Sequence, residues 1–223
     1  MTRRIILFFG APGSGKGTQS AWLSTQLGIA SLSTGEMLRN QAKQDTPEGR
    51  RLKEILANGS LVSDSTVCEV VAARLSRGVP KSGLILDGFP RTLAQAKCLD
   101  DLVGKLGLDE PLVLHLDAEP QRLIERLTAR RQCPTCRTIY NLRSLPSRGG
   151  LQCEMDGTDL VQRDDDKEAV IRRRFTEFES SCGPVIEHYR DRDYYRIPCA
   201  GRPDEIASQL LRVVVGESRQ VAA

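Results

Sequence analysis

A chain of 223 residues is long enough for one α/β domain with insertions, and 39% hydrophobic content suits a globular protein with a core of its own. A net charge of +3 is too small to argue for a nucleic-acid or membrane surface, and no apolar run approaches the length of a membrane span. Met1-Thr2-Arg3-Arg4 leads straight into an apolar run, which leaves no room for a signal peptide and makes the cytosol the expected location; seven cysteines are then expected as thiols or metal ligands, not disulfides.

Ile5-Ile6-Leu7-Phe8-Phe9 reads as a fully buried strand. It runs into Gly10-Ala11-Pro12-Gly13-Ser14-Gly15-Lys16-Gly17-Thr18, which has the Walker A spacing G-x-x-x-x-G-K. Thr18 to Leu27 reads as a helix with Ala21, Trp22 and Leu27 on its inner face. Strand, glycine loop and helix together make a phosphate cradle: the glycines let backbone N–H groups turn inward, the helix N-terminus adds partial positive charge, and Lys16 adds a full one. Gly17 stands where a Ser or Thr usually ligates magnesium, and the hydroxyl comes one place later at Thr18. Mg²⁺ is therefore expected to be held mostly by phosphate oxygens and water.

Ile29 to Leu32 reads as a second strand, and Ser33-Thr34-Gly35-Glu36 opens a helix that carries Arg39. A short helix starts at Pro47 and stops at Asn58-Gly59; another begins at Ser63-Asp64, with Val67, Val70, Val71 and Leu75 as its apolar stripe. Gly83 to Asp87 and Leu112 to Leu116 are the third and fourth strands. Pro120 suits the first turn of a helix running from Glu119 to about Arg131. From Arg131 to Arg163 the pattern breaks into Gly, Pro, Cys and Arg without helical period. A long helix from Asp166 to Arg190 follows, with Asp165 and Glu168 resembling a capping box; Tyr194 to Ile197 is a fifth strand and Asp204 to Val215 a closing helix. The alternation predicts an α/β fold, a five-stranded parallel sheet flanked by helices, with ligands beyond the carboxyl ends of its strands.

Asp87 ends a buried strand, where an acid can orient Mg²⁺-bound water; capping a helix is the other role open to it. Gly88 and Pro90 allow a turn that presents Arg91, whose planar fork suits a phosphate. Arg126 and Arg130 are four apart on the expected helix and so share a face, while Arg163 and Arg174 flank the entry to the next helix. With Lys16 and Arg39 they suffice to surround two polyphosphates, and phosphoryl transfer needs mainly alignment and charge stabilisation. Arg50, Arg51, Arg143 and Arg148 are expected to face solvent. Cys133-Pro134-Thr135-Cys136 and, sixteen residues on, Cys153-Glu154-Met155-Asp156 form two ligand pairs with the spacing of a zinc ribbon, the fourth ligand being a carboxylate; free thiols in a loop are the alternative. Such a metal would be structural, stiffening a flap with few apolar residues. Cys68, Cys98, Cys182 and Cys199, and likewise His115 and His188, read as structural.

The glycine loop, Ser33-Thr34-Gly35-Glu36-Met37-Leu38-Arg39, Asp87-Gly88-Phe89-Pro90-Arg91 with Gln95, and Gln162-Arg163-Asp164-Asp165-Asp166 resemble the adenylate kinase family, in order and over nearly the whole chain. The resemblance is to the long form with a zinc-bearing lid found in some bacterial members. It implies one P-loop kinase core over 1–223, an AMP-binding insert at 33–62 and a lid at 129–163. It implies that Gly13, Ser14, Gly15, Lys16, Gly17 and Thr18 hold the ATP phosphates, with Arg126 and Arg130 on the ATP side, Ile139 and Tyr140 covering the base, and Arg202 contacting the adenine through its backbone. AMP would be bound by Thr34, Arg39, the Ser60-Leu61-Val62 backbone, Gly88, Phe89, Pro90, Arg91 and Gln95. Gln95 would read the base, because its amide both donates and accepts. Arg163 and Arg174 would reach the AMP phosphate and the transferring group, and Asp165 and Asp166 would pair with arginines as the lid shuts.

Two features depart from the family pattern: the lid stretch Asn141 to Gln152 lacks its usual aromatic, asparagine and double proline, and Arg137 stands where a knuckle glycine is usual. The implied activity is reversible transfer of the terminal phosphoryl group of ATP to AMP, giving two ADP. It implies Mg²⁺ and a structural Zn²⁺, a monomer, and no nucleic-acid or membrane partner. The alternatives are another nucleoside monophosphate kinase, with UMP or CMP as acceptor or GTP as donor, or a zinc-ribbon binding module on a P-loop scaffold. The latter should show an outward basic stripe with aromatics for stacking; 4% aromatic content argues against it.

Overall fold

The structure is a computed structural model, and it describes residues 4–143 and 151–216. Arg148 and the rest of the departing lid stretch between 144 and 150 lie outside the described residues, as do both ends of the expected 1–223 core. The central sheet has five parallel strands, β1 (Ile5–Phe9), β2 (Ala30–Ser33), β3 (Leu84–Asp87), β4 (Leu112–Asp117) and β7 (Tyr194–Pro198), in the order β2-β3-β1-β4-β7. Successive side chains of β1 alternate between two cores, which is why its sequence is apolar without interruption. Ile5, Leu7 and Phe9 join one face, with helices α4 (Asp64–Leu75), α5 (Leu93–Lys105) and α7 (Glu168–Tyr189); Ile6 and Phe8 join the other, with α1 (Lys16–Leu27) and α8 (Pro203–Val215).

Both faces are therefore covered, and the crevice is left at the carboxyl ends of the strands. β1 delivers the glycine loop there, against the end of β4, and β3 delivers Asp87. Helices α2 (Thr34–Gln41) and α3 (Pro47–Ala57) form the far wall. That wall rests on the start of α7: Arg173 Nη1 donates to Asn58 O at 3.1 Å, and a Cβ on Gly59 would stand 2.7 Å from Val170 Cγ1. Gly59 has φ +72°, so close approach and backbone conformation both call for glycine. Helix α6 (Pro120–Thr128) leads into an antiparallel pair, β5 (Arg130–Gln132) and β6 (Ile139–Asn141), at the base of the predicted lid.

The structure corrects several local expectations. The helix after the glycine loop starts earlier, at Lys16, and its buried residues are Gln19, Ser20 and Leu23; Trp22 and Leu27 are half-buried and Ala21 is exposed. The register is set by the loop, and the buried Gln19 amide donates from Nε2 to Pro203 O at 2.9 Å, while its Oε1 has no partner among the described residues. Helix α5 was not among the predicted elements, although Thr92 caps it and Ala96, Leu99 and Val103 recur at helical spacing. Helix α6 stops at Thr128, so Arg130 lies in β5 and does not share a helix face with Arg126: the chain must turn there for Arg130 to pair with Asn141. Asp165 forms no capping box with Glu168. It sits in a 3₁₀ turn, Asp164–Asp166, and α7 begins at Glu168 with no side-chain cap. Both histidines lie in packed surroundings: His115 is buried in β4, and His188 Nε2 meets Asp100 Oδ2 at 2.8 Å.

His115 lies in the middle of the sheet, edge-on to Phe9 with ring centroids 5.0 Å apart, and its Nδ1 is 2.5 Å from the Tyr194 hydroxyl. Burial pushes its pKa down to about 4, with Asp117 opposing. Above the ordinary histidine pKa of roughly 6.5 both folded and unfolded forms are neutral, so the group has no effect there. As the pH falls from about 6.5 towards 4, the unfolded chain takes a proton that the folded chain refuses, and stability is lost. Denaturant unfolding at pH 7 and pH 5 should show a loss on the order of 1–2 kcal/mol in the wild type that is absent from His115→Gln.

Candidate functional site

The glycine loop packs directly on β4. A Cβ on Gly10 would lie 2.4 Å from Leu116 O, and Gly10 has φ +141°, so no other residue fits between strand and loop. Lys16 Nζ donates to Gly10 O at 2.8 Å and Ala11 O at 2.9 Å, which centres the ammonium in the mouth of the loop. Burial lowers its pKa to about 8, Asp87 opposes this, and Arg91, Arg174 and Arg130 push in the same direction as burial. Ser14 Oγ is buried without a hydrogen-bond partner among the described residues, a donor suited to a phosphate oxygen. Gly13 and Gly15 have φ +81° and +98°; Gly17 and Thr18 are exposed on the first turn of α1.

Asp87 stands at the end of β3, buried, and burial raises its pKa while Lys16 and Arg91 pull it down. Its Oδ2 lies 3.5 Å from where a Cβ on residue 17 would be. Gly17 thus leaves room beside this carboxylate, the acid nearest the place where the general motif puts a metal-binding hydroxyl. Asp87 does not cap a helix: Thr92 caps α5, accepting from Gln95 N.

Beyond the loop is a crevice open to solvent. Lys16, Arg39, Arg91 and Arg174 line it with Thr34 and Gln95, and Ser60, Leu61, Val62, Gly88 and Pro90 complete the wall. Phe89 does not reach it; the ring is 1% exposed in the core, and its peptide bond to Pro90 is cis. Thr34 is buried, with its hydroxyl donating to Asp87 O and Gly88 O at 3.1 and 3.0 Å, which locks α2 to the end of β3. Arg91 Nε donates to Gly88 O at 2.9 Å. Burial lowers the Arg39 pKa to about 9, helped by Arg163, so it stays a cation at neutral pH.

Two adjacent carboxylates hold the remaining arginines. Asp166 takes Arg130 in a bidentate pair at 2.7 and 2.5 Å; Asp165 takes Arg163 in another, at 2.9 and 2.6 Å. Arg174 Nη1 reaches Asp165 Oδ2 and the Asp165 carbonyl, each at 3.0 Å. Burial would raise the Asp165 pKa, but Arg174 and Arg163 outweigh it and hold the carboxyl at about 2. Burial lowers Arg174 to about 10, still protonated at pH 7. Arg126 stays on α6, half-buried and without a carboxylate partner among the described residues.

Arg202 precedes α8, exposed, with its backbone N–H donating to Glu205 Oε2 at 2.9 Å; Gln19 ties this corner to α1. Ile139 is 44% exposed on β6. Its neighbour Tyr140 turns its hydroxyl into the cysteine cluster, 3.2 Å from Cys153 Sγ, and accepts from Glu154 N at 3.1 Å. Cys133, Cys136, Cys153 and Asp156 each offer a ligand atom, all within 4.8 Å of one another. Cys136 and Cys153 sulfurs are 3.5 Å apart, and Cys133 Sγ is 3.4 Å from Asp156 Oδ2. A tetrahedral zinc with sulfurs at about 2.3 Å needs edges of roughly 3.8 Å, so the donor set fits. The two knuckles match each other: Cys133 N donates to Thr138 O and Cys153 N to Thr158 O, while Arg137 N and Gly157 N return to the carbonyls of Cys133 and Cys153. Gly157 has φ +72°; Arg137, at φ +66°, adopts the same conformation without being glycine. The knuckle imposes its geometry on whichever residue stands there.

The sequence assigned Arg174 of α7 to the crevice but missed Glu177 and Phe178 of the same helix, which also line the wall, Phe178 meeting Phe9 at 5.6 Å. The apolar spacing Ile171, Phe175, Phe178 was the available signal. It also missed Asp64, which accepts from Gln95 Nε2 at 2.7 Å.

Residues 8–194 match the family model described as adenylate kinase. The chain is 38% identical over 210 residues to the adenylate kinase of Thermosipho melanesiensis, covering 94% of this chain and 98% of that one. It is 39% identical to that of Thermodesulfovibrio yellowstonii with the same coverage, and 39% identical to that of Archaeoglobus fulgidus over 83% of this chain and 85% of that one. The glycine loop, the arginine-lined crevice and these likenesses agree: the chain belongs to the adenylate kinase family.

Proposed function

We infer that the protein catalyses reversible transfer of the terminal phosphoryl group from Mg²⁺-bound ATP to AMP, giving two ADP. The observation that carries this reading is the convergence of Lys16, Arg39, Arg91 and Arg174 on one crevice that also holds Gln95. That arrangement fits two phosphate chains meeting end to end, one of them attached to a base. The loop residues 13–18 bind the donor phosphates, with Ser14 Oγ and Lys16 donating. Arg39, Arg91, Arg163 and Arg174 bind the acceptor phosphate and the transferring group. Arg126 and Arg130 serve the donor side; Ile139, Tyr140 and the Arg202 backbone lie along the donor base. Thr34, the backbone of 60–62, Gly88 and Pro90 shape the acceptor pocket, and Phe89 supports it from the core. Magnesium, when bound, neutralises phosphate charge; Asp87 is the carboxylate placed to orient its water.

No covalent intermediate is needed, because aligned phosphates and a fixed positive field lower the barrier for an in-line displacement. Segments 33–62 and 129–163 close over the nucleotides and exclude water, which would otherwise accept the phosphoryl group. The same reading takes the protein as a monomer of the cytosol, with no nucleic-acid or membrane partner; among the described residues no helix is long and apolar enough to cross a membrane.

Zinc held by Cys133, Cys136, Cys153 and Asp156 is structural in this reading, since four protein ligands leave no open position. Asp156 suits the role: the Thr158 backbone N–H donates to it at 3.0 Å and holds its carboxyl well below the ordinary range. Among the described residues, the cluster around the cysteines contains only Leu160 and Tyr140 as further apolar partners, too little to fold unaided.

Coupled-enzyme measurement of ADP formation with AMP, UMP, CMP and GMP as acceptors tests the function. AMP should support turnover at least about a hundredfold better in kcat/KM than the pyrimidine nucleotides. Equal use of UMP or CMP would move the protein to another acceptor class. Metal analysis tests the lid: about one zinc per chain is expected, with Asp156→Ala lowering occupancy and melting temperature together. Metal-free protein after metal-replete expression would leave the cysteines as free thiols.

A further inference from the structure

Gln95 is 1% exposed, lines the crevice, and already has half of its amide engaged. Nε2 donates to Asp64 Oδ1 at 2.7 Å, and Oε1 accepts from the Arg91 backbone N–H at 2.8 Å. Both partners are chemically one-sided. An ionised carboxylate only accepts, and a backbone N–H only donates. Flipping the amide would set its NH₂ group against the Arg91 N–H and its carbonyl oxygen against the Asp64 carboxylate, two repulsive contacts in a buried place.

Asp64 is itself fixed. Thr92 Oγ1 donates to the same Oδ1 at 2.9 Å, and Thr92 also accepts from Gln95 N at 3.2 Å, so the capping residue of α5 joins the two. Asp64 lies in the first turn of α4, behind the Ser63 cap, where the helix end favours a carboxylate. Nothing in that local role requires a bond to a residue 31 positions away.

A primary amide has two N–H donors and two acceptor lone pairs. One of each is used internally, which leaves one donor and one acceptor side by side in a fixed order. Adenine offers a 6-amino donor next to the N1 acceptor. Hypoxanthine offers the reverse, a 6-oxo acceptor next to an N1–H donor. We propose that Asp64 is a specificity-determining positioning residue: with the Arg91 N–H it pins the Gln95 amide in the orientation that accepts the adenine edge and rejects a 6-oxopurine. This rests on the reading of Gln95 as the contact to the acceptor base.

The test compares kcat/KM for AMP and for IMP, with Mg·ATP as donor, in the wild type, Asp64→Asn, Asp64→Ala and Gln95→Leu. An Asn can pair with either amide orientation, and an Ala pairs with neither. The wild type should prefer AMP strongly. Asp64→Ala should lower the AMP-to-IMP ratio about tenfold or more, and Asp64→Asn should lower it in the same direction, with the loss falling mainly on KM for AMP. If both Asp64 variants keep the wild-type ratio while Gln95→Leu collapses it, the proposal is overturned and the base-contact reading stands. Were Gln95→Leu to leave the KM for AMP unchanged, the base-contact reading would fail and the proposal with it. A lower melting temperature with AMP and IMP activities falling in parallel would assign Asp64 a structural role only, and also overturn it.

Discussion

The crevice depends on a set of cations, most of them half-buried, held against three carboxylates. Lys16, Arg39, Arg91, Arg130, Arg163 and Arg174 approach one another closely enough for each to perturb its neighbours. Such a set, desolvated and unpaired, would be driven apart or neutralised. Asp87, Asp165 and Asp166 prevent this. They compensate part of the charge and leave an excess of positive charge that phosphates complete. Asp165 and Asp166 are adjacent in the chain, yet one binds Arg163 with Arg174 and the other binds Arg130, so a single turn ties the lid base to α7.

The same logic explains the position of the lid. Its cysteine cluster contributes little apolar burial, and its attachment to the core runs through Arg130 and Asp166, a pair in which the carboxylate is fully buried. A metal bound there would, by stiffening the knuckles, also steady the base of β5 and with it a guanidinium of the crevice. Tyr140 extends this link, since one side chain lies on the strand assigned to the donor base and bonds a cysteine sulfur.

Much of this was legible in the sequence because the signals were local. The buried strands were uninterrupted apolar runs, the loop had a fixed glycine spacing, and the cysteines had ligand spacing. Arg130 was misplaced because helical period alone does not show where a chain must turn into a hairpin. The spacing of Asp165 to Glu168 suits a capping box, but the two arginines that claim its carboxylate are stronger partners than a helix end. Helix α5 was overlooked although its cap and spacing were present. Asp64 was invisible for a different reason: a residue at a helix start already has a sufficient local explanation, and its bond to Gln95 exists only in the folded chain. Arg137 shows the converse, a sequence departure that the knuckle absorbs without changing its backbone.

In the proposed function, fixed guanidinium charge in the crevice stabilises the transferring phosphoryl group. Arg91 tests it well, because among the described residues its side chain hydrogen-bonds the Gly88 carbonyl and no carboxylate directly, and buried Asp87, whose charge Arg91 helps to hold, keeps Lys16. The decisive measurement is kcat of Arg91→Ala at saturating ATP and AMP, alongside its melting temperature. A fall of about 10³ or more in kcat is expected, with the melting temperature little changed. Near-normal turnover in the folded variant would contradict it.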